Sequence, residues 1–407
     1  MRRINTFYGL ILVCSVLCTI VLQAQSAIDE TDYGLMPPVI NNSPLPKYDY
    51  SRLDYGMARG IAHTLKNRIW ASWVAGGDDD NAFLLLNKSD DGGTTWSKPL
   101  LVIESQLPGI KEKRRNRVGC LWLDPAGKLW LFFDQSMTSF DGRAGLWYIT
   151  CNNPDSDNPQ WSSPVRIWHG SALNKPVVLS NGDWMLPVTL WDRGKIKDPY
   201  KNAYIELDTF RMAHAFISTD QGKTWQRQGG VRFPSSQFDE HHIMQRRDGS
   251  LWMTARTGDG IWESFSNDNG LTWSTPGKYM EHISSRHFIQ KLKSGKWLLV
   301  RHGNTSERTS TRSKLMAFLS SDEGQTWQGG LMLDERRGVS YPDGFESVDG
   351  TIYISYDRNR NTDGEILMAR FTEKDVLSKR FSQPNSKAKI LIAKPGGLDK
   401  MPHPSLD

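Results

Sequence analysis

Residues 266–273 read SNDNGLTW. The same order of residue types, S-x-D-x-G-x-T-W, returns at 89–96 (SDDGGTTW), 218–225 (STDQGKTW) and 320–327 (SSDEGQTW). A worn relative stands at 151–161 (CNNPDSDNPQW). The physics of this box is local. Its Asp carboxylate accepts backbone N–H groups across a tight turn, its Gly supplies a positive φ, and its Trp fills the space between layers. The box staples a hairpin and carries no catalytic reading of its own.

A second pattern, offset from the first, is a turn followed by an aromatic-rich strand. It reads HTLKNRIWASW (63–73), LDPAGKLWLFF (123–133), LSNGDWMLPV (179–188), RRDGSLWMTAR (246–256), LKSGKWLLVR (292–301) and SVDGTIYISY (347–356), at intervals of 46 to 67 residues. In five of the six an Ala-Gly, Asn-Gly, Asp-Gly or Ser-Gly step precedes the apolar run, a hairpin signal. One turn–strand unit and about one box per period describe a radial array of four-stranded blades. Six units between about residues 51 and 385 predict an all-β, six-bladed propeller forming one domain. The period is too long for WD40 blades. Residues 25–50 read as a Pro-rich lead-in, and 386–407 as a tail whose KILIA segment is a candidate ring-closing strand.

Composition agrees. The chain has 407 residues, 35 Gly and 16 Trp, enough for a large core and typical of β architectures. Met1-Arg2-Arg3, the apolar run from Tyr8 to Leu22 and the small residues around Ala24 and Ala27 form the layout of a secretory signal peptide over 1–24. The expected location is secreted or periplasmic, with no membrane attachment after cleavage; a retained anchor is the alternative. Cys120 and Cys151 then remain, either as one disulfide or as two buried thiols. The net charge of +5 is too small a bias to argue for nucleic acid. The basic run KEKRRNR (111–117) reads as a solvated loop.

Boxes on a six-bladed propeller resemble the sialidase (neuraminidase) superfamily, and the resemblance extends to an ordered set of landmarks. Arg59 in MARGIAH stands where the family has an arginine before the first inner strand, although the family's R-I-P is replaced. GGDDDNAF (76–83) stands where the family places its acid/base aspartate; Asp78 is the first choice, with Asp79 and Asp80 competing. In FDEHHIMQRRDGSLWMTAR (238–256), Glu240 precedes Arg256 as a family glutamate precedes its arginine. Arg312 lies eight residues ahead of a box serine. Tyr341 then stands at the family's nucleophile position, with Asp357 where the family has a glutamate that props its first arginine.

The resemblance implies a secreted exo-glycosidase that removes a terminal sialic acid or a similar carboxylated sugar from a glycan. Tyr341, Glu240 and Asp78 would be catalytic. Arg59, Arg256 and Arg312 would hold the substrate carboxylate through charge-assisted bonds, and Asp80, His241 and Asp357 would complete the substrate-binding set. A neutral phenol avoids the repulsion that a carboxylate nucleophile would meet, and Glu240 would accept its proton. No metal or cofactor is implied: Asp239-Glu240-His241-His242 lacks HExxH spacing. The expected partner is a glycan, and the expected state a monomer. The departures from the family pattern point to a divergent branch. Two rivals stand: a hydrolase or lyase of other acidic polysaccharides, with His63 and His241 as suspects, and a glycan-binding propeller without catalysis.

Overall fold

The six turn–strand units become the second strands of six antiparallel sheets: Ile69–Ala75, Leu129–Met137, Trp184–Thr189, Leu251–Arg256, Trp297–His302 and Ile352–Arg358. Each pairs with an inner strand before it: Met57–His63, Gly119–Leu123, Val177–Val178, His242–Gln245, Phe288–Lys291 and Val339–Glu346. Two further strands complete each blade. The computed structural model describes residues 30–397, apart from 105, 107–108, 110–112, 138–144, 197 and 199. Segment 1–24, expected as a signal peptide, and the last ten residues of the tail lie outside the described residues. Among the described residues no helix is long and apolar enough to cross a membrane.

A blade buries both faces, so its strands lose the alternation of a half-exposed sheet. Every residue of Ile69–Ala75 is buried. Trp70 packs with Leu121, Phe133 and Ile149 of the second blade. Trp73, on the opposite face, packs with Phe345, Ile366 and Met368 of the sixth. Similar apolar clusters fill the other blade junctions.

The boxes join the third and fourth strands of blades 1, 3, 4 and 5. In the fourth blade the Asp268 carboxylate accepts the Thr272 N–H at 2.9 Å, and the Ser266 hydroxyl accepts the Gly270 N–H at 2.9 Å. Asn269 and Gly270 both have positive φ, 59° and 86°. Each box glycine also lies against the preceding blade. A Cβ on Gly222 would meet Trp130 at 2.5 Å, and one on Gly324 would meet Trp252 at 2.9 Å. The box therefore welds neighbouring blades as well as closing its own hairpin.

The lead-in does more than precede the ring. Ile40–Asn41 adds a strand to the edge of blade 1, and Tyr48 and Leu53 are buried between blades 1 and 6. The KILIA segment belongs to Lys387–Ala393, the outer strand of blade 6, so that blade runs past residue 385. Each blade takes its strands from one continuous segment, and packing between blades 1 and 6 closes the ring, with Ile392 and Ala393 against Tyr48 and Leu53 and the Gly396 and Gly397 N–H groups donating to the Tyr50 and Leu53 carbonyls of the lead-in. Cys120 and Cys151 are both free and buried.

Candidate functional site

Antiparallel blades put the boxes and first turns at one end of the ring. The hairpins after each second strand, and the crossings between blades, lie at the other. The candidate residues come from that second end. Arg59, Asp78, Glu240, Arg256, Arg312 and Tyr341 line one cavity of about 180 Å³, together with Arg117, Arg360, Val118, Leu173, Trp191 and Phe238.

Glu240 and Arg256 meet because of local register. His242 pairs with Thr254 across the hairpin of blade 4, so two residues further out Glu240 stands opposite Arg256. Arg256 Nη1 donates to Glu240 Oε2 at 2.9 Å and to the Tyr341 oxygen at 3.1 Å. The Tyr341 hydroxyl donates to Glu240 Oε1 at 2.6 Å. Burial alone would raise the Glu240 carboxyl, but the Arg256 charge and the Tyr341 hydroxyl hold it below its ordinary value. Arg256 is likewise held above its ordinary value by Glu240 against the effect of burial.

The backbone at both acid and phenol is strained. Asp239, Glu240 and Tyr341 have φ of 54°, 45° and 57°. Non-glycine residues seldom adopt this region, and such strain clusters at sites where the surroundings over-determine it. The surroundings here are explicit. Asp239 accepts hydroxyls from Thr189 and Ser236, both at 2.6 Å, and its own carbonyl accepts the Arg256 N–H. Asn174 donates to the Glu240 and His241 carbonyls at 2.9 and 2.8 Å, and Arg286 holds Asn174 from the axis. Tyr341 sits where the ladder of blade 6 slips between Ser340 and Asp343.

Three guanidiniums surround the Tyr341 ring: Arg360 at 4.2 Å, Arg59 at 4.9 Å and Arg312 at 5.7 Å from its centroid. Arg59 is 6% exposed and its buried Nε has no hydrogen-bond partner. Burial lowers its affinity for a proton. On the far side Asp78 forms an ion pair with Arg117. Burial would raise the Asp78 carboxyl, but Arg117, Arg59 and Arg360 hold it below its ordinary value. Five guanidiniums thus face the carboxylates of Asp78 and Glu240 in one cup. An unpaired, desolvated guanidinium in such a cup is a site for an anion. The other wall, Val118, Leu173, Trp191 and Phe238, is apolar.

Three expected supporting residues stand elsewhere. Asp80 does not border the cup; the chain turns away after Asp78, and Asp79 caps the turn by accepting the Asn81 N–H at 2.8 Å. His241 points into blade 3, where its Nε2 bonds the His214 carbonyl at 2.8 Å, and burial pushes its pKa down to about 3. His63, suspected in the rival reading, lines a different cavity of about 340 Å³ that also takes in His242. Asp357 does not prop Arg59. Its carboxylate is one methylene shorter than the family's glutamate, and its oxygens go to the Ala58 N–H, the Ser340 hydroxyl and Arg360 Nε.

Arg117 and Arg360 were not legible as site residues. Arg117 closes the run KEKRRNR, which resembles a solvated loop, yet Arg114 and Arg115 form a buried strand and Arg117 turns into the cup. The available signal was position: Arg117 and Arg286 each stand two residues ahead of an inner strand. Arg360 carried no motif.

The BNR repeat-like domain model matches residues 67–354. No curated protein matches the chain by sequence. Among solved structures, the chain is similar to a protein of unknown function from Dyadobacter fermentans, with TM-score 0.59, 15% identity and coverage of 79% of this chain and 95% of that one. It is similar to the intramolecular trans-sialidase from Ruminococcus gnavus, solved with oseltamivir carboxylate, with TM-score 0.60, 13% identity and coverage of 83% and 98%. The Trypanosoma rangeli sialidase, solved with sialic acid, gives TM-score 0.53, 17% identity and coverage of 76% and 53%. Identities this low speak to fold alone. The chain is a divergent member of the BNR repeat-like domain family, built on the six-bladed propeller that sialidases also use.

Proposed function

We propose that the protein is an exo-acting, sialidase-like glycoside hydrolase that releases a terminal sialic acid, or a closely related carboxylated sugar, from a glycan. The observation that carries this reading is the Tyr341 hydroxyl at 2.6 Å from Glu240, beneath guanidiniums from three blades. The cup's volume of about 180 Å³ is below the usual range of roughly 300–1,000 Å³ for ligand pockets, which suits the end of a chain. Its apolar wall suits an N-acyl methyl, and its cations suit the acid.

In this mechanism the sugar carboxylate binds Arg59 and Arg312, with Arg256 beside them. The Tyr341 oxygen attacks the anomeric carbon as its proton passes to Glu240, and the bond to the leaving oxygen breaks. Asp78 gives that oxygen a proton. It then takes one from the water that cleaves the tyrosyl–sugar bond, Glu240 returns the phenol's proton, and configuration is retained. The neighbouring arginines, Arg117 first, favour the ionised form of Asp78. The incoming carboxylate offsets the arginine charge and lets Asp78 carry the proton it must donate. We further propose export directed by residues 1–24, tested by N-terminal sequencing of protein recovered from periplasm and medium.

The enzymatic test is release of free sugar from an α-sialoside, run beside glucuronides and galacturonides, for the wild type and Tyr341→Phe. Sialic acid release that Tyr341→Phe abolishes is expected. Cleavage of a uronide alone, or turnover that survives the loss of the phenol, would overturn the reading.

A further inference from the structure

The carboxylate expected beneath Arg59 serves a different arginine, and the two arginines differ as a result. Arg360 donates from Nε to Asp357 at 3.0 Å and from Nη2 to the Ser340 hydroxyl at 2.8 Å. Asp357 is fully buried and also accepts the Ser340 hydroxyl at 2.6 Å. Ser340 and Asp357 face each other in the ladder of blade 6, immediately before the slip that carries Tyr341. The three residues therefore brace the root of the strained turn. From that brace the guanidinium of Arg360 lies over the Tyr341 ring at 4.2 Å, nearer than Arg59 or Arg312.

The charges divide accordingly. Arg360 is closed on Asp357, so much of its attraction for an anion is already satisfied. Arg59 has no such partner at its Nε. Arg312 gives one hydrogen bond to the Ser284 carbonyl at 3.1 Å, a neutral acceptor. A ligand acid group entering the cup gains more from Arg59 and Arg312 than from Arg360.

We propose that Arg360 is a positioning residue for the phenol: Asp357 and Ser340 press its flat guanidinium against Tyr341, which keeps the hydroxyl on Glu240, and it takes no part in gripping the ligand's acid group. This rests on the reading of Tyr341 as the reacting group. The guanidinium reaches Asp357, Ser340 and the ring at once, an arrangement of fixed donors that the single ammonium of lysine does not reproduce. A tyrosine at φ 57° also needs outside support to stay there.

Two measurements on Arg360→Gln and Arg360→Lys test it. In sialoside kinetics, both variants should lose about 10²-fold in kcat, the effect of misplacing a reacting group by about 1 Å, with KM little changed. A large rise in KM with kcat retained would place Arg360 in the acid clamp and overturn the proposal. Crystal structures of the same variants should show the Tyr341 oxygen out of hydrogen-bond reach of Glu240. A Tyr341–Glu240 contact still at 2.6 Å would also overturn it. Should wild-type protein leave sialosides intact, the substrate reading fails, and the crystallographic comparison still decides the role of Arg360.

Discussion

Replacing Glu240 by Gln keeps size and most hydrogen-bonding capacity but removes one charge from the middle of the site. Glu240 is 3% exposed and Arg256 has 10% of its side chain exposed, so neither charge is well solvated. Their contact is 2.9 Å. With charge centres roughly 4 Å apart and an effective dielectric near 20, the attraction is about 4 kcal/mol. Breaking one side of a buried pair typically costs about 3–5 kcal/mol, because the remaining charge stays desolvated. Glu240→Gln should therefore unfold several degrees earlier at neutral pH. Its turnover should fall about 10²- to 10⁴-fold, the contribution of a general base.

The Glu240 carboxyl is depressed below 4.5, so its stabilisation is fully present above that pH and is lost as pH falls through the folded value. Glu240→Gln should flatten that part of the acid slope. Tyr341→Phe is the control, because it leaves the Glu240–Arg256 pair in place. It should cost about 1–3 kcal/mol, for the two hydrogen bonds the phenol makes with Glu240 and Arg256, and remove turnover. Denaturation midpoints between pH 3 and 8 and initial rates check both. A Glu240→Gln protein with wild-type stability, an unchanged acid slope and near-normal turnover would refute the reasoning that a buried ion pair activates the phenol.

Arg59→Gln should raise KM for an acidic sugar at least tenfold while the fold is retained, because Arg59 is the least compensated cation in the cup; binding of the free sugar by calorimetry checks it. The box carboxylates Asp91, Asp220, Asp268 and Asp322 are each held at about 2, chiefly by bonds from their own turn for the last three and, for Asp91, by such bonds against a burial effect. Their stabilisation is present above 3.8 and lost towards pH 2, so Asp322→Asn should lower the melting temperature at pH 7 and leave it unchanged near pH 2, by scanning calorimetry. Reducing agent should not shift the melting temperature, since Cys120 and Cys151 are free thiols, and thiol reagents should react with them only after denaturation.

Features made within one hairpin were readable in the order of residues. The boxes are such features, because an Asp accepting from a residue four positions on needs no partner elsewhere. The Glu240–Arg256 pair came by resemblance, and the two-stranded register of its hairpin explains why it holds. The positions of Arg59, Arg312 and Tyr341 were found by resemblance, and their convergence could not be read from spacing. Arg117 stands in a run that reads as a solvated loop, and Arg360 lies in no motif.

By itself the order of residues determined the repeat, the blade number and the local geometry of each hairpin, because those depend on side chains a few positions apart. Closure of the ring decided the rest. It brought Arg59 and Arg360 from opposite ends of the chain to one phenol ring, gave Asp357 to Arg360, and turned His241 into a neighbouring blade. Partner choice in a buried site is a competition among groups that meet only after folding, and the nearest well-aligned donor wins it.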